Sequence, residues 1–129
     1  MNIPHDLRYT KNDEWVRLEG VTATAGITDY AQDQLSDIVF VELPPIGQSL
    51  KQGDALGSVE SVKAAAEVYM PIGGAIMDVN ESLGETPELV NQDPYGKAWM
   101  VKFAAADASE LDGLMDAAAY EAYCKEREH

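Results

Sequence analysis

Frequent turn signals constrain this chain more than any other feature. Glu19-Gly20, Pro44-Pro45-Ile46-Gly47, Lys51-Gln52-Gly53-Asp54 and Met70-Pro71-Ile72-Gly73-Gly74 interrupt the 129-residue sequence at short intervals. Glycine and proline so placed favour tight turns and leave little room for long helices between them. The segments they delimit carry β-branched and aromatic residues at strand-like spacing. Strands are predicted over 14–18 and 21–27, joined at Glu19-Gly20, and over 38–41, 55–61, 75–79 and 98–103. Residues 82–94 are polar and punctuated, a loop with one helical turn near 87–90. Ile38-Val39-Phe40-Val41 and Ile76-Met77-Asp78-Val79 flank the centre similarly, a faint internal repeat.

Two stretches read as helix. Thr28 is a suitable N-cap for residues 28–35, with Ala31 and Leu35 four apart on one face. Near the C-terminus Leu111, Leu114, Met115, Ala118, Ala119, Ala122 and Tyr123 recur at three- and four-residue steps, predicting an amphipathic helix over about 108–125. Asp107 with Glu110 suits a capping box there, and Ser109 with Asp112 competes for the role. The expected architecture is mainly β: a flattened barrel or sandwich, with a short helix in the N-terminal half and the C-terminal helix covering one side. Residues 1–129 are read as a single domain.

Nine basic residues against twenty-three acidic ones give a formal charge of −14. Such a surface repels phosphate backbones and anionic lipids, and favours basic patches on protein partners. No run of apolar residues is long enough to span a bilayer. The N-terminus carries neither a basic, apolar signal nor an Arg-rich presequence pattern, so a cytoplasmic location is expected. Cys124 is the only cysteine, which excludes an intramolecular disulfide.

The informative segment runs Gly57-Ser58-Val59-Glu60-Ser61-Val62-Lys63-Ala64-Ala65-Ala66-Glu67-Val68-Tyr69-Met70-Pro71. Propensity alone makes its alanine- and glutamate-rich middle a helix, with Lys63 an ordinary solvated residue. Glu60-Ser61-Val62-Lys63-Ala64, however, resembles the lipoyl-attachment segment of the glycine cleavage H-proteins. Biotin carriers usually place methionine beside their lysine, and lipoyl domains of 2-oxoacid dehydrogenases an aspartate before it. Similarity to the H-proteins extends along the chain: Asp13-Glu14-Trp15-Val16-Arg17, Gly26-Ile27-Thr28-Asp29-Tyr30-Ala31-Gln32, Ile38 to Pro44, Pro71 to Ile76, Pro87-Glu88-Leu89-Val90-Asn91, and Pro94-Tyr95 with Trp99. The chain departs from the family pattern at Asn12, Asp13, Ser36 and Glu67, where serine, histidine, glycine and aspartate are common.

The resemblance implies a lipoyl-type barrel-sandwich fold, with Lys63 on a β-hairpin over about 56–70 and lipoic acid joined to it as an amide. It implies a non-catalytic carrier that shuttles the aminomethyl group of glycine from a pyridoxal-phosphate decarboxylase to a tetrahydrofolate-dependent aminomethyltransferase. The dithiol would then pass to dihydrolipoyl dehydrogenase, and a lipoyl-attaching enzyme would install the arm. A monomer is expected. Glu60 belongs to the attachment motif, and Glu14 and Glu67 resemble the acidic positions near the docked arm, where carboxylates attract an ammonium. The alternatives are a relay scaffold that donates lipoyl groups to other complexes, a swinging module of a larger enzyme, and an unmodified acidic binding domain.

Other residues read as structural. Trp15 and Trp99 are expected in packing, and Cys124 as inert packing or surface. Pro71, Gly73 and Gly74 fit no phosphate-binding fingerprint. His5 and His129 lie near the two ends and form no metal-ligand pair. Glu60 and Glu67 could imitate a glycosidase carboxylate pair, but the sequence defines no substrate groove.

Overall fold

Glycine and proline place the strand ends where the turns were expected. The computed structural model describes residues 1–127, and His129 lies outside them. Among the described residues nine strands form: β1 (Arg8–Tyr9), β2 (Glu14–Glu19), β3 (Thr22–Ile27), β4 (Ile38–Glu42), β5 (Ser49–Leu50), β6 (Ala55–Ser61), β7 (Ala65–Tyr69), β8 (Gly74–Val79) and β9 (Val101–Ala105). Gly20, with φ 65°, makes the tight turn between β2 and β3, whose register pairs Glu19 with Thr22.

The strands assort into two antiparallel sheets. The larger has the order β1-β2-β3-β9-β8-β5, and the smaller is β4-β6-β7. Their inner faces share one core, with Val16, Ala25 and Phe103 from the larger sheet and Val41, Val59 and Val68 from the smaller. The sheets do not close on each other, so the body is a flattened sandwich. The supposed repeat has no counterpart in this arrangement: β4 is an edge of the small sheet, whereas β8 lies between β9 and β5.

Helix α1 (Asp29–Leu35) begins at Thr28, whose hydroxyl accepts the Ala31 N–H as an N-cap should. The loop over 82–94 contains two short turns of helix, α2 (Ser82–Glu85) and α3 (Leu89–Gln92). The last strand starts later than its apolar run suggested, because Gly96, Ala98 and Trp99 donate backbone hydrogen bonds back into a turn at Asp93 and Gly96.

The C-terminal helix is shorter than the apolar stripe predicts. Residues Ala108–Gly113 form a 3₁₀ helix, with Asp107 accepting the Ser109 N–H, and α4 begins only at Ala117 and runs to Arg127. The interruption has a cause: Met115 exchanges both backbone hydrogen bonds with Tyr9, which requires extended backbone there. Asp116 then caps α4 by accepting the Ala119 N–H at 2.9 Å. Consequently α4 buries Ala117, Tyr120 and Cys124, while Ala118, Ala119 and Ala122 face solvent. Its buried face completes a second cluster, in which the Tyr9 and Tyr120 rings stack 4.6 Å apart. Trp15 is fully buried in the same cluster. Its indole N–H donates to the Pro94 carbonyl, and it occupies space that a side chain at Gly26 would need.

Candidate functional site

The alanine-rich segment is a hairpin and not a helix. Strands β6 and β7 pair from Ala55 with Tyr69 to Glu60 with Ala65, which leaves Val62, Lys63 and Ala64 at the exposed tip. Pairing across the small sheet outweighs the local helix propensity of alanine, because Val59 and Val68 are buried only in that register. The Ser61 hydroxyl organises the turn: it accepts the Ala64 N–H at 3.0 Å and the Lys63 N–H at 3.3 Å, and lies 3.1 Å from the Ala64 carbonyl. The Ser61 N–H donates to that same carbonyl at 2.7 Å. Serine side chains commonly satisfy turn amides in this way, and this was the legible signal for the role of Ser61.

A second anchor comes from outside the hairpin. The Val62 N–H donates to the Asp37 carbonyl at 3.1 Å, tying the tip to the start of β4. That start is itself held by Asn91 of α3. Its side-chain oxygen accepts the Ile38 N–H, and its amide donates to Gln32 and to the Ser36 carbonyl. Lys63 therefore projects from a turn braced on two sides, although its own side chain is exposed.

Beside the hairpin, a cleft of about 180 Å³ opens between β7, α1 and the turn before β2. Ile27, Val59 and Val68 form its buried floor, and Asn12, Gln34 and Glu67 its exposed rim. Asp13 forms one wall with a left-handed backbone, φ 67°. Its carboxylate is held by Arg127 at 2.6 Å and by the Tyr120 hydroxyl at 2.8 Å.

The candidate acidic residues occupy different environments. Glu67 borders the cleft, and Glu60 is exposed on the outer face of the hairpin. Glu14 does not line the cleft. It is 1% exposed, with one carboxylate oxygen accepting from the Thr10 hydroxyl at 2.5 Å and the other from the Tyr69 N–H at 3.2 Å. It thus joins the larger sheet to β7 of the smaller. Burial pushes its pKa up to about 7, against the opposing pull of those two hydrogen bonds.

A sequence model of the family Glycine cleavage H-protein matches residues 7–127. The glycine cleavage system H protein of Symbiobacterium thermophilum is 52% identical over 125 residues, covering 97% of this chain and 98% of its own. That of Beijerinckia indica is 56% identical over 118 residues, covering 92% and 95%. The crystal structure of a glycine cleavage system H protein from Mycobacterium marinum superposes with a TM-score of 0.81 at 30% identity, across 98% of this chain and 100% of that one. No described helix is long and apolar enough to cross a membrane. With its two-sheet body, its braced lysine hairpin and these relatives at about half identity, the chain belongs to the glycine cleavage H-protein family, the lipoyl carriers of the glycine cleavage system.

Proposed function

We propose that Lys63 is the attachment residue and carries lipoic acid as an amide on its side-chain nitrogen. The observation that supports this most is the placement of an exposed lysine at the tip of a hairpin held by Ser61 and by the Asp37 carbonyl. A braced turn fixes the origin of a long arm, and an exposed tip admits the enzymes that use it. When attached, the lipoyl group supplies a dithiolane ring that accepts a one-carbon amine fragment and a pair of electrons and passes both on. The protein's residues supply attachment, orientation and shelter.

The cleft beside the hairpin fits such an arm chemically. Its floor is aliphatic, as a hydrocarbon chain requires, and its polar groups lie at the rim. Glu67 at that rim, on the outer side of β7, would attract a cationic amine by its charge. Glu14 would act from behind, contributing its partial negative charge and pinning β7 to the larger sheet. Glu60 stands next to the braced turn and would act at the attachment step. Arg127 takes up the carboxylate of Asp13, so that wall keeps its shape without adding a free charge.

The partners follow from this reading: a pyridoxal-phosphate glycine decarboxylase, a tetrahydrofolate-dependent aminomethyltransferase, dihydrolipoyl dehydrogenase and a lipoyl-attaching enzyme. The carrier would serve them as a monomer in the cytoplasm, and its net charge of −14 favours basic faces on each of them. Intact mass and peptide mapping after expression in lipoate-fed cells test the assignment. A lipoyl-sized increment on Lys63, absent from Lys63→Ala, is expected; an unmodified Lys63 in cells with an active ligase would refute it.

A further inference from the structure

Three of the exposed large hydrophobic residues gather at the lysine end of the small sheet: Val39 at 51%, Phe40 at 50% and Val62 at 69% exposure. Their exposure follows from the backbone of β4. Ile38 pairs with Ser61 and Phe40 with Glu60, so the intervening bulge leaves Val39 without a partner. Ile38 and Val41 turn inward while Val39 and Phe40 both face solvent. A bulge re-aims side chains in this way, and here it opens an apolar patch on an edge strand. The Val62 N–H bond to Asp37 makes that patch continuous with the Lys63 turn.

Charge on the same face is one-sided. Register aligns Phe40, Glu60 and Ala65 in one row and Glu42, Ser58 and Glu67 in the next, all on the outer side of the sheet. These rows contain three carboxylates and no basic residue. A matching surface must therefore offer an apolar slot edged by lysine or arginine.

We propose that Val39, Phe40 and Val62, with Glu42 and Glu60 beside them, form the docking face for the enzyme that acylates Lys63. The proposal rests on the reading of Lys63 as the attachment site, and reach selects this partner among the others. Before the arm exists, the lysine nitrogen extends no further than its own aliphatic stem, so the acylating enzyme must close directly on the hairpin and its neighbours. Enzymes that work at the end of a long arm are free of that requirement. The step is acyl transfer from lipoate activated with ATP as the adenylate. The lysine nitrogen attacks the acyl carbon, the C–N amide bond forms, the C–O bond to AMP breaks, and the former ammonium releases two protons.

Time-resolved mass measurement on the full-length unmodified protein, with a purified lipoate ligase, ATP and lipoic acid, tests the proposal. Phe40→Ala should lower kcat/KM roughly tenfold, as loss of one aromatic anchor does. The double variant Glu42→Gln/Glu60→Gln should lower it several-fold and flatten its dependence on salt. Thermal unfolding like that of the unaltered protein establishes that each variant is folded. Once lipoylated with excess ligase, the Phe40→Ala variant should be reduced by dihydrolipoyl dehydrogenase at the unaltered rate. Unchanged lipoylation kinetics in all variants, or losses confined to the dehydrogenase reaction, would overturn the docking face while leaving Lys63 as the attachment site. If the unaltered protein gains no lipoyl group on Lys63, the attachment reading fails and the docking face with it.

Discussion

Arg127, the last described residue of α4, grips both carboxylate oxygens of Asp13, with its two terminal nitrogens at 2.6 and 3.1 Å. The guanidinium carbon also lies 4.2 Å from the centre of the Tyr30 ring and 4.0 Å from that of Tyr123. One side chain thus links the C-terminal helix, α1 and the turn that walls the cleft. That turn needs support, because Asp13 holds a left-handed backbone that aspartate adopts only at some cost.

Removing the link should loosen all three elements. Arg127→Ala is expected to destabilise the fold by about 2 kcal/mol, since it strips a partly buried carboxylate of a bidentate partner and uncovers two tyrosine faces. Arg127→Lys should recover less than half of this, because an ammonium cannot form the planar fork. Urea unfolding of the three proteins measures both effects, and equal midpoints would exclude the clamp.

Asn91 offers a prediction at the other end of the site. Its side chain fixes Ser36 and Ile38 on either side of Asp37, whose carbonyl receives the Val62 N–H. Asn91→Ala should raise amide hydrogen exchange at Val62 about tenfold, with the amides of β3 unchanged relative to global unfolding. Lipoylation of Lys63 should slow by a smaller factor, since the tip is less well placed. Unaltered exchange at Val62 would detach Asn91 from the hairpin.

These two relationships mark the boundary of what the sequence reveals. The β6 strand, α1 with its Thr28 cap and the order of the turns were legible because each depends on neighbouring residues. The hairpin required the resemblance, since alanine-rich β7 has helical propensity and is strand only through its pairing with β6. The break before α4 was hidden for the same reason: Met115 is extended because it bonds to Tyr9, more than a hundred positions away in the sequence. Periodicity therefore placed the helix over about 108–125, whereas the helix proper is Ala117–Arg127. Arg127 with Asp13, and Asn91 with the α1–β4 connection, are likewise long-range contacts that no local pattern announces. The strand over 38–41 was equally legible, whereas the bulge that leaves both Val39 and Phe40 exposed within it was not.

Gly57 tests the tolerance of the hairpin base. A Cβ there would clash with the Glu42 carbonyl oxygen, which belongs to the backbone of the neighbouring strand and cannot swing aside. Gly57→Ala must push β4 away from β6, at a cost of about 3 kcal/mol. Gly84→Ala is the control, because nothing lies within 4 Å of a Cβ at that position. Comparable melting temperatures for the two variants would show that the strands part more easily than their packing suggests.

The buried carboxyl of Glu14 makes stability depend on pH in an unusual direction. In the unfolded chain it titrates near 4.5, and in the folded protein near 7, because burial disfavours the anion more than Thr10 and Tyr69 favour it. Between these values the folded protein holds a proton that the unfolded chain has released. Raising the pH through this window therefore weakens the fold. The penalty is absent below about pH 4.5 and complete above about pH 7, where it reaches about 3 kcal/mol. Glu14→Gln keeps a neutral group of the same shape, and its amide can meet Thr10 while its oxygen accepts the Tyr69 N–H. The variant should match the unaltered protein at pH 5 and exceed its stability at pH 8 by up to that amount. Other groups titrate alike in both proteins, so the difference between their urea midpoints at the two pH values isolates Glu14. A difference that stays constant from pH 5 to pH 8 would mean that Glu14 is ionised throughout, and that its hydrogen bonds outweigh its burial.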